Sequence, residues 1–333
     1  MFIVSSYPLA VFFCLITMLC WGSWSNTQKL TASSWRQELY YWDYVVGILL
    51  ISLLLGFTMG SIGEGGRSFI ADLQQISLKN YLNAFTGGVL MNAANLLLSV
   101  AIGIVGISVA FPLGVGIGLV LGVIINYMEQ PKGDPYFLFI GVAMIVLAII
   151  LSGISADKMA KQKEQKSKKG IILCIIAGII MSFFYRFVAA SMDLQNFESP
   201  TPGMATPYAA FFIFAVGMFL SNMVFDTWLM RNPLVGAPVS YKVYFEGSFK
   251  VHFWGILGGA IWGLGTAFSY IAAGKAGAAI SYALGQGATM VAALWGLLIW
   301  KEFKGASKSV NLMLALMILL FISGLASIIL SGK

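Results

Sequence analysis

The chain has 333 residues, of which 59% are hydrophobic and only 10% are charged. A water-soluble domain carries about 25% charged residues, so this composition excludes a soluble enzyme, a disordered protein and a secreted disulfide scaffold. The formal net charge of +7 comes from Lys and Arg that lie, with one exception, between apolar blocks. Such placement favours a role in membrane orientation over nucleic-acid binding.

Continuous apolar runs predict an all-α integral membrane protein with ten transmembrane helices, and not a barrel, whose strands would alternate apolar and polar residues. Each run is long enough to cross about 30 Å of hydrocarbon. We expect the first run to be a retained span, because neither a basic n-region nor a small-residue cleavage site marks it as a signal peptide. Spans 1 to 10 are predicted at 8–28, 41–61, 81–102, 105–127, 135–154, 170–190, 206–228, 251–272, 276–299 and 309–330. Pro112 should kink span 4.

Basic residues predict the orientation in the membrane. The loops after the odd-numbered spans hold fourteen Lys and Arg, six of them between Lys158 and Lys169, whereas the opposite side holds five. By the positive-inside rule both termini face outward from the cell (inner) membrane, and a basic linker at 156–169 is cytoplasmic. This linker separates a first five-helix unit at 1–155 from a second at 170–333. The three cysteines all lie in apolar segments, which indicates neither a disulfide nor a metal site.

The two units resemble each other. A shift of 171 residues aligns spans 3 and 4 with spans 8 and 9 without a gap, placing Gly87, Gly88, Gly103, Gly106, Phe111, Gly114 and Gly116 on Gly258, Gly259, Gly274, Gly277, Tyr282, Gly285 and Gly287. A weaker match at a shift of 160 places Trp24 on Phe184 and Asn26 on Arg186. Because each unit has an odd number of spans, the units must be inserted with opposite orientation. A 5+5 inverted repeat of this kind is typical of transporters.

Several short motifs occur along the chain: Gly22-Ser23-Trp24, 41–44 (Tyr-Trp-Asp-Tyr), 58–63 (Thr-Met-Gly-Ser-Ile-Gly), Gly87-Gly88, Asn95, 105–109 (Val-Gly-Ile-Ser-Val) and Asn126-Tyr127. Together they resemble motifs of the ureide permease family, within the drug/metabolite transporter superfamily, and more loosely those of the related glucose/ribose porter group. The match covers both units and is sharpest over roughly residues 20–155. The resemblance implies a ten-helix inverted-repeat fold and proton-linked uptake, or symport, of small polar solutes. Ureides such as allantoin and oxo-pyrimidines or oxo-purines are the substrates it implies, and sugars are those of the sister group.

One departure from the family concerns nucleotides. Longer members carry a central loop with a Walker-A-like sequence, but residues 155–169 contain no G-x-x-x-x-G-K-[ST]. We therefore expect no nucleotide binding and no cofactor or metal. The expected partners are a small-molecule substrate, membrane lipid and a coupling ion, H⁺ by resemblance, with no nucleic acid. A monomer and a homodimer both remain open.

Polar and aromatic side chains inside spans are the candidates for a solute site, because they are costly in lipid and tend to face the bundle interior. Amides offer both donors and acceptors, and aromatic faces stack on planar rings, so together they suit an uncharged ring solute. Helix-to-helix hydrogen bonding is the alternative role. The twelve candidates are Trp24, Asn26, Asn92, Asn95, Phe111, Tyr185, Arg186, Trp262, Thr266, Tyr270, Tyr282 and Gln286.

Charged residues in spans suggest a gate and a coupling site. Arg186 needs a partner, which Asp193 two turns on could supply as a structural or gating pair; alternatively Arg186 meets substrate carbonyls directly. For proton coupling we favour Asp43 or Asp226, each of which could instead cap a helix or pair with a basic residue. His252, at the start of span 8, is expected at the headgroup level.

These features predict a secondary importer of a ureide, nucleobase or nucleoside. A sugar porter of glucose, ribose or rhamnose type is the close alternative, and a drug or metabolite exporter is the third. An enzyme is disfavoured, because the spans contain no nucleophile–base pair, two-carboxylate arrangement or metal-ligand cluster. A non-transporting scaffold would tolerate loss of Asn92 or Gln286.

Overall fold

The computed structural model describes residues 1–31, 35–159, 167–233 and 236–333. Within these ranges the secondary structure is helical, apart from one isolated bridge between Met192 and Ala205. Ten helices are long and apolar enough to cross a membrane, which confirms the ten predicted spans. Their bounds, in order, are Tyr7–Lys29, Gln37–Phe57, Leu78–Val105, Phe111–Glu129, Pro135–Met159, Lys168–Ser191, Pro207–Arg231, Phe249–Ala276, Ala278–Ile299 and Lys308–Ser331.

Span 2 begins and ends four residues earlier than predicted, since it runs from Gln37 to Phe57 and not over 41–61. Its first turn is polar, so hydropathy alone missed that the helix starts directly after Arg36, whose backbone is extended. At the other end Thr58 leaves the helical region, with φ −101° and ψ −92°. The apolar residues that follow belong to a turn before a short helix, Phe69–Gln75, which the sequence analysis did not predict.

Spans 4 and 9 are both interrupted. In span 4 the expected effect of Pro112 takes the form of a π-helical turn at Phe111–Val115, because proline cannot donate the backbone hydrogen bond of a regular helix. Span 9 breaks between Ala278–Gly285 and Ala288–Leu294, and a second π-helical turn follows at Trp295–Ile299. Gly114 and Val115 in the first interruption and Gln286 and Gly287 in the second are buried, so neighbouring protein surrounds the irregular backbone at these residues.

The junctions before these spans are alike. Gly106 ends span 3 with φ 76° and Gly277 ends span 8 with φ 85°. Positive φ is strained for any residue with a Cβ, so glycine is required at both positions. These two glycines are the pair that the 171-residue shift aligns.

Helix packing brings spans of the first unit against spans of the second. Span 3 packs against span 6 and span 1 against span 8; span 2 packs against span 8 and span 3 against span 7; span 4 packs against span 6 and span 1 against span 9; span 5 packs against span 10. Small residues permit the closest approaches, and a Cβ added at Gly88 would lie 2.1 Å from the Phe214 carbonyl oxygen.

Both chain ends lie on one side of the bundle, which we call the terminus side. There the Met1 amino group donates to the Gly65 carbonyl at 2.5 Å, and the Asp134 N–H donates to the Ser331 carbonyl at 2.6 Å. The opposite, linker side is where the predicted linker at 156–169 joins spans 5 and 6; residues 160–166 of that linker lie outside the described residues.

Candidate functional site

A cavity of about 140 Å³ lies among spans 1, 3, 4, 6, 8 and 9. The interrupted segments of spans 4 and 9 both reach it, through Phe111 and Val115 on one side and Gln286 on the other. Five of the predicted site residues line it: Trp24, Asn95, Phe111, Trp262 and Gln286. Its other lining residues are Trp21, Ser25, Met91, Leu98, Val115, Met181, Phe184, Ala288, Thr289 and Ala292.

An aromatic wall forms one face of this central cavity. The rings of Trp21 and Trp262 are stacked, with centroids 5.9 Å apart and planes 13° from parallel. The Trp21 Nε1–H donates to the Thr266 hydroxyl at 3.0 Å, and that hydroxyl donates to the Trp262 carbonyl at 3.0 Å. These bonds fix the Trp21 ring, so the wall is preorganised before a solute arrives. Trp21 was not among the predicted residues, although it lies one helical turn before Trp24.

The polar groups of the central cavity are neutral. Asn95, Gln286, Thr289 and Ser25 contribute amides and hydroxyls, and no charged side chain occurs in its lining as described. Amides can donate to a carbonyl and accept from an N–H of the same solute. Together with the aromatic wall, this arrangement suits a small, planar, uncharged polar molecule.

Five other predicted residues are buried beside the cavity, and four of them form hydrogen bonds within the protein. The Asn92 amide donates to Ser221 Oγ at 3.0 Å, Tyr185 OH hydrogen-bonds Ser269 Oγ at 3.0 Å, and Tyr282 OH donates to the Gly118 carbonyl at 3.0 Å. The Thr266 hydroxyl accepts the hydrogen bond from Trp21 described above, and the Tyr270 ring packs against the Tyr185 ring. In this conformation these side chains support the cavity and do not line it.

A second cavity of about 360 Å³ adjoins the central one towards the linker side, and the two share Ser25, Phe111, Thr289 and Ala292. Asn26 lines this outer cavity and accepts a hydrogen bond from Trp300 Nε1. Near its linker-side end Lys29 Nζ lies 2.6 Å from Glu302 Oε1 and 4.8 Å from the centre of the Trp300 ring. The central cavity therefore has a polar approach from this side.

On the terminus side, short loops are bonded across the bundle. Arg67 Nε lies 2.8 Å from Asp72 Oδ1, and its Nη1 donates to the Pro200 carbonyl at 2.6 Å. The other Asp72 oxygen accepts from the Thr206 N–H at 2.7 Å. The loops that follow spans 2 and 6 are thereby held together. Neither Arg67 nor Asp72 was recognised from the sequence, because the charge pattern carries no sign of pairing between loops.

Arg186 does not pair with Asp193 as expected. Its guanidinium lies 3.1 Å from Glu129 Oε2, at the end of span 4, and about two fifths of its side chain is exposed. Partial burial alone would raise the pKa of Asp193, but hydrogen bonds from the Thr201 N–H and hydroxyl lower it below its ordinary value. Asp193 is therefore occupied as a loop cap, and Arg186 is absent from the lining of the central cavity.

The two candidate coupling carboxylates have different surroundings. Asp43 is buried, and its Oδ1 accepts from Tyr244 OH at 2.7 Å and contacts His252 Nδ1 at 2.8 Å. His252 was expected only to lie at the headgroup level, and its contact with Asp43 was not predicted. Asp226 is also buried, but its neighbour is an amide: Asn222 Nδ2 donates to Asp226 Oδ2 at 3.5 Å.

Among the described residues, no group of three or more His, Cys, Asp or Glu is placed to hold a metal ion. Cys14, Cys20 and Cys174 are all free thiols.

Comparisons with known proteins match the whole chain. A family model described as Ureide permease matches residues 40–170 and 155–331. Ureide permease 1 of Arabidopsis thaliana is 24% identical over 100% of this chain and 99% of that protein. The glucose uptake protein GlcU of Bacillus subtilis (strain 168) is 23% identical over 87% of this chain and 88% of that protein. A solved crystal structure with 14% identity superposes with a TM-score of 0.59 over 97% of this chain and 96% of that chain, which shows a shared fold.

Proposed function

Because the chain belongs to the ureide permease family and is an integral, multi-pass membrane transporter, we propose that it imports a ureide, nucleobase or nucleoside by secondary active transport. The observation that carries the proposal is the central cavity, whose aromatic wall and neutral amides match a planar solute with both N–H and C=O groups. A volume of about 140 Å³ suits a single small ring. Secondary transporters place such sites at the interface of their repeats, next to interrupted helices.

Alternating access through a 5+5 inverted repeat is part of the proposal. An inverted repeat relates span 1 to span 6, span 2 to span 7, and so on. Under this exchange the packed pair of spans 3 and 6 becomes the pair of spans 8 and 1, which is also packed, and the other packed pairs are related in the same way. The same exchange relates two ion pairs. Lys29–Glu302 joins span 1 to the end of span 9, and Arg186–Glu129 joins span 6 to the end of span 4. This regularity supports a carrier that exchanges two equivalent conformations.

The orientation proposed from the basic loops puts the linker side in the cytoplasm and both termini outside the cell membrane. With this orientation the adjoining cavities extend from the central site towards the cytoplasm, while the bonds of Arg67 and Asp72 hold the outer loops together. The structure then corresponds to a carrier whose site is approached from inside.

Protons are the proposed coupling ion, with Asp43 or Asp226 as the carrier. Asp43 is the stronger candidate for proton transfer, because a histidine and a tyrosine hydroxyl both contact its Oδ1. We expect Asp43→Asn or Asp226→Asn to abolish accumulation against a gradient and to leave solute exchange in place.

A sugar is the alternative substrate. It is favoured by GlcU and by a putative sugar uptake protein, YxfA of Lactococcus lactis subsp. lactis (strain IL1403), which is 24% identical over 94% of this chain. A sugar would stack its apolar ring face on the same tryptophans and would form hydrogen bonds with the same amides.

Uptake of radiolabelled allantoin, uracil, ribose and glucose into cells that overproduce the chain tests the proposal. We expect allantoin or uracil to accumulate without competition from sugars, and accumulation that only sugars inhibit would overturn it. Asn95→Ala and Gln286→Ala should each reduce uptake tenfold or more. Asn83→Ala is a matched control, because it makes the same change on span 3 about 18 Å from Asn95 along the helix.

A further inference from the structure

A buried network of three hydroxyls and one thiol lies between the central cavity and the terminus side. The Tyr185 hydroxyl hydrogen-bonds Ser269 Oγ at 3.0 Å, and Ser269 Oγ lies 3.0 Å from Ser281 Oγ. Cys14 Sγ donates to Ser281 Oγ at 3.5 Å. All four side chains are buried, and each lies nearer the terminus side than the residues of its own span that line the cavity, as Ser269 does relative to Trp262.

A second bond closes the same side. The Tyr282 hydroxyl, on span 9, donates to the Gly118 carbonyl of span 4 at 3.0 Å. Tyr282 is buried, and its ring lies against that of Tyr185, with centroids 5.4 Å apart. Neither Tyr282 nor any member of the network lines the central cavity, so these bonded side chains separate the cavity from the terminus side.

The shifts of 160 and 171 residues that relate the two units identify the middle of the central cavity. Four matched pairs have both members in its lining: Trp21 with Met181, Trp24 with Phe184, Met91 with Trp262, and Val115 with Gln286. Matched residues occupy equivalent positions in an inverted repeat. These pairs therefore face the cavity whichever side of the bundle is open.

Four other matched pairs have only one member in the lining. The lining members lie towards the linker side: Ser25, Leu98, Phe111 and Thr289. The same two shifts match them, in that order, with residues of the terminus side: Tyr185, Ser269, Tyr282 and Gly118. The second set forms the two bonds described above, Tyr185 to Ser269 and Tyr282 to Gly118. Equivalent positions are thus open on the linker side and bonded together on the terminus side.

We infer that Tyr185, Ser269, Tyr282 and Gly118 form the barrier to solute on the terminus side, and that they line the solute route when this side opens. The inference rests on the proposed alternating access and adds which bonds break. The counterparts of the four residues pack together on the linker side in that conformation. A hydroxyl that loses its partner at membrane depth is unfavourable, so the opened route admits water or solute to pair with Tyr185 and Tyr282.

Side-specific thiol labelling tests the barrier. Ser269→Cys and Leu98→Cys are each made in a full chain whose three native cysteines are replaced by serine. Sealed vesicles expose one side of the bundle to a membrane-impermeant methanethiosulfonate reagent. We expect Ser269→Cys to react from the terminus side and Leu98→Cys from the linker side, each at least tenfold faster than the control Ser52→Cys. Ser52 is also buried, and its hydroxyl donates to the Leu49 carbonyl of its own helix. If Ser269→Cys reacts from the terminus side no faster than Ser52→Cys, the inference is wrong.

Further variants keep the test valid if Ser269→Cys does not fold. Gly118→Cys is a second reporter, because a Cβ at Gly118 would lie no closer than 3.4 Å to a neighbouring helix. Tyr185→Phe removes one of the two bonds and keeps the ring, so it should speed labelling of either reporter from the terminus side threefold or more. Tyr270→Phe is the matched control, because Tyr270 is equally buried and packs against Tyr185, yet its hydroxyl has no hydrogen-bond partner among the described residues. Equal labelling rates in the two phenylalanine variants would contradict the barrier.

Solute uptake separates this inference from the proposed function. Uptake of a tested solute, combined with reporters at Ser269 and Gly118 that resist labelling from the terminus side, rejects the barrier alone. Side-specific labelling of the reporters without uptake of any tested solute rejects the proposed substrates and leaves the barrier in place.

Discussion

Gly259→Ala probes a close contact between spans 2 and 8. A Cβ at this position would lie 1.8 Å from the Tyr44 carbonyl oxygen and 3.0 Å from the Ile48 backbone nitrogen. Both neighbours are backbone atoms of span 2, so no side chain can rotate away. Since a Cβ atom essentially never lies within 3.0 Å of another heavy atom, spans 2 and 8 must separate by more than about 1 Å at their crossing.

The expected cost follows from this separation. Overpacking of a tight interface costs about 1–3 kcal/mol. Moving two packed surfaces apart by about 1 Å also forfeits up to half of the dispersion energy of each contacting pair, which adds about 1 kcal/mol over some ten pairs. Alanine returns about 0.5–1 kcal/mol because it favours the helix more than glycine does. The net loss is about 2 kcal/mol, which lowers Tm by about 4–8 °C on the scale of ordinary domains.

Thermal unfolding in detergent, followed by tryptophan fluorescence, measures the loss. Gly116→Ala is the matched control, because a Cβ there meets nothing within 4 Å and the residue begins a regular helix, Gly116–Glu129. We expect Gly116→Ala to leave Tm unchanged or slightly raised. If Gly259→Ala is as stable as the unaltered chain, the close approach of spans 2 and 8 is wrong.

Three further changes test the Lys29–Glu302 ion pair, the coupling site and the aromatic wall. Lys29→Glu should impair uptake and the double variant Lys29→Glu/Glu302→Lys should restore it, with Tm shifts below about 4 °C because an exposed pair contributes at most about 1 kcal/mol; failure of the double variant to recover uptake would show that the ion pair has no part in transport. His252→Gln should reduce proton-driven accumulation as Asp43→Asn does, and normal accumulation in both variants would place the proton pathway elsewhere. Trp21→Ala should raise KM for solute uptake tenfold or more with less effect on maximal rate, because base-like rings gain about 1–3 kcal/mol from stacking; an unchanged KM would contradict the aromatic wall.

Much of the fold could be predicted because a bilayer leaves few choices. Apolar runs of sufficient length must form helices, since every backbone polar group has to be paired within its own segment. The ends of the helices were harder to predict. Span 2 begins in a polar turn at Gln37, and Thr58 ends it before the apolar run is over. The short helix Phe69–Gln75 lies outside any long apolar segment and left no comparable signal.

The candidate site was only partly predictable, because helical spacing does not say which neighbour a face meets. Asn92 and Asn95 are three residues apart on span 3, yet the Asn92 side chain bonds to span 7 whereas the Asn95 side chain lines the central cavity. Arg186 and Asp193 are two helical turns apart in the sequence, but span 6 ends at Ser191, so Asp193 belongs to the following loop and Arg186 contacts Glu129 of span 4. Contacts such as Asp43 with His252 join residues 209 positions apart and depend on packing that no local pattern encodes.

A structure determined with bound solute tests the central claim most directly. The account predicts a molecule of allantoin, uracil or a close analogue in the central cavity, its ring against Trp21 or Trp262 and its polar edge within hydrogen-bond distance of Asn95 and Gln286. Solute bound at another place, or a central cavity filled by rearranged side chains while the protein is saturated with transported solute, would contradict it.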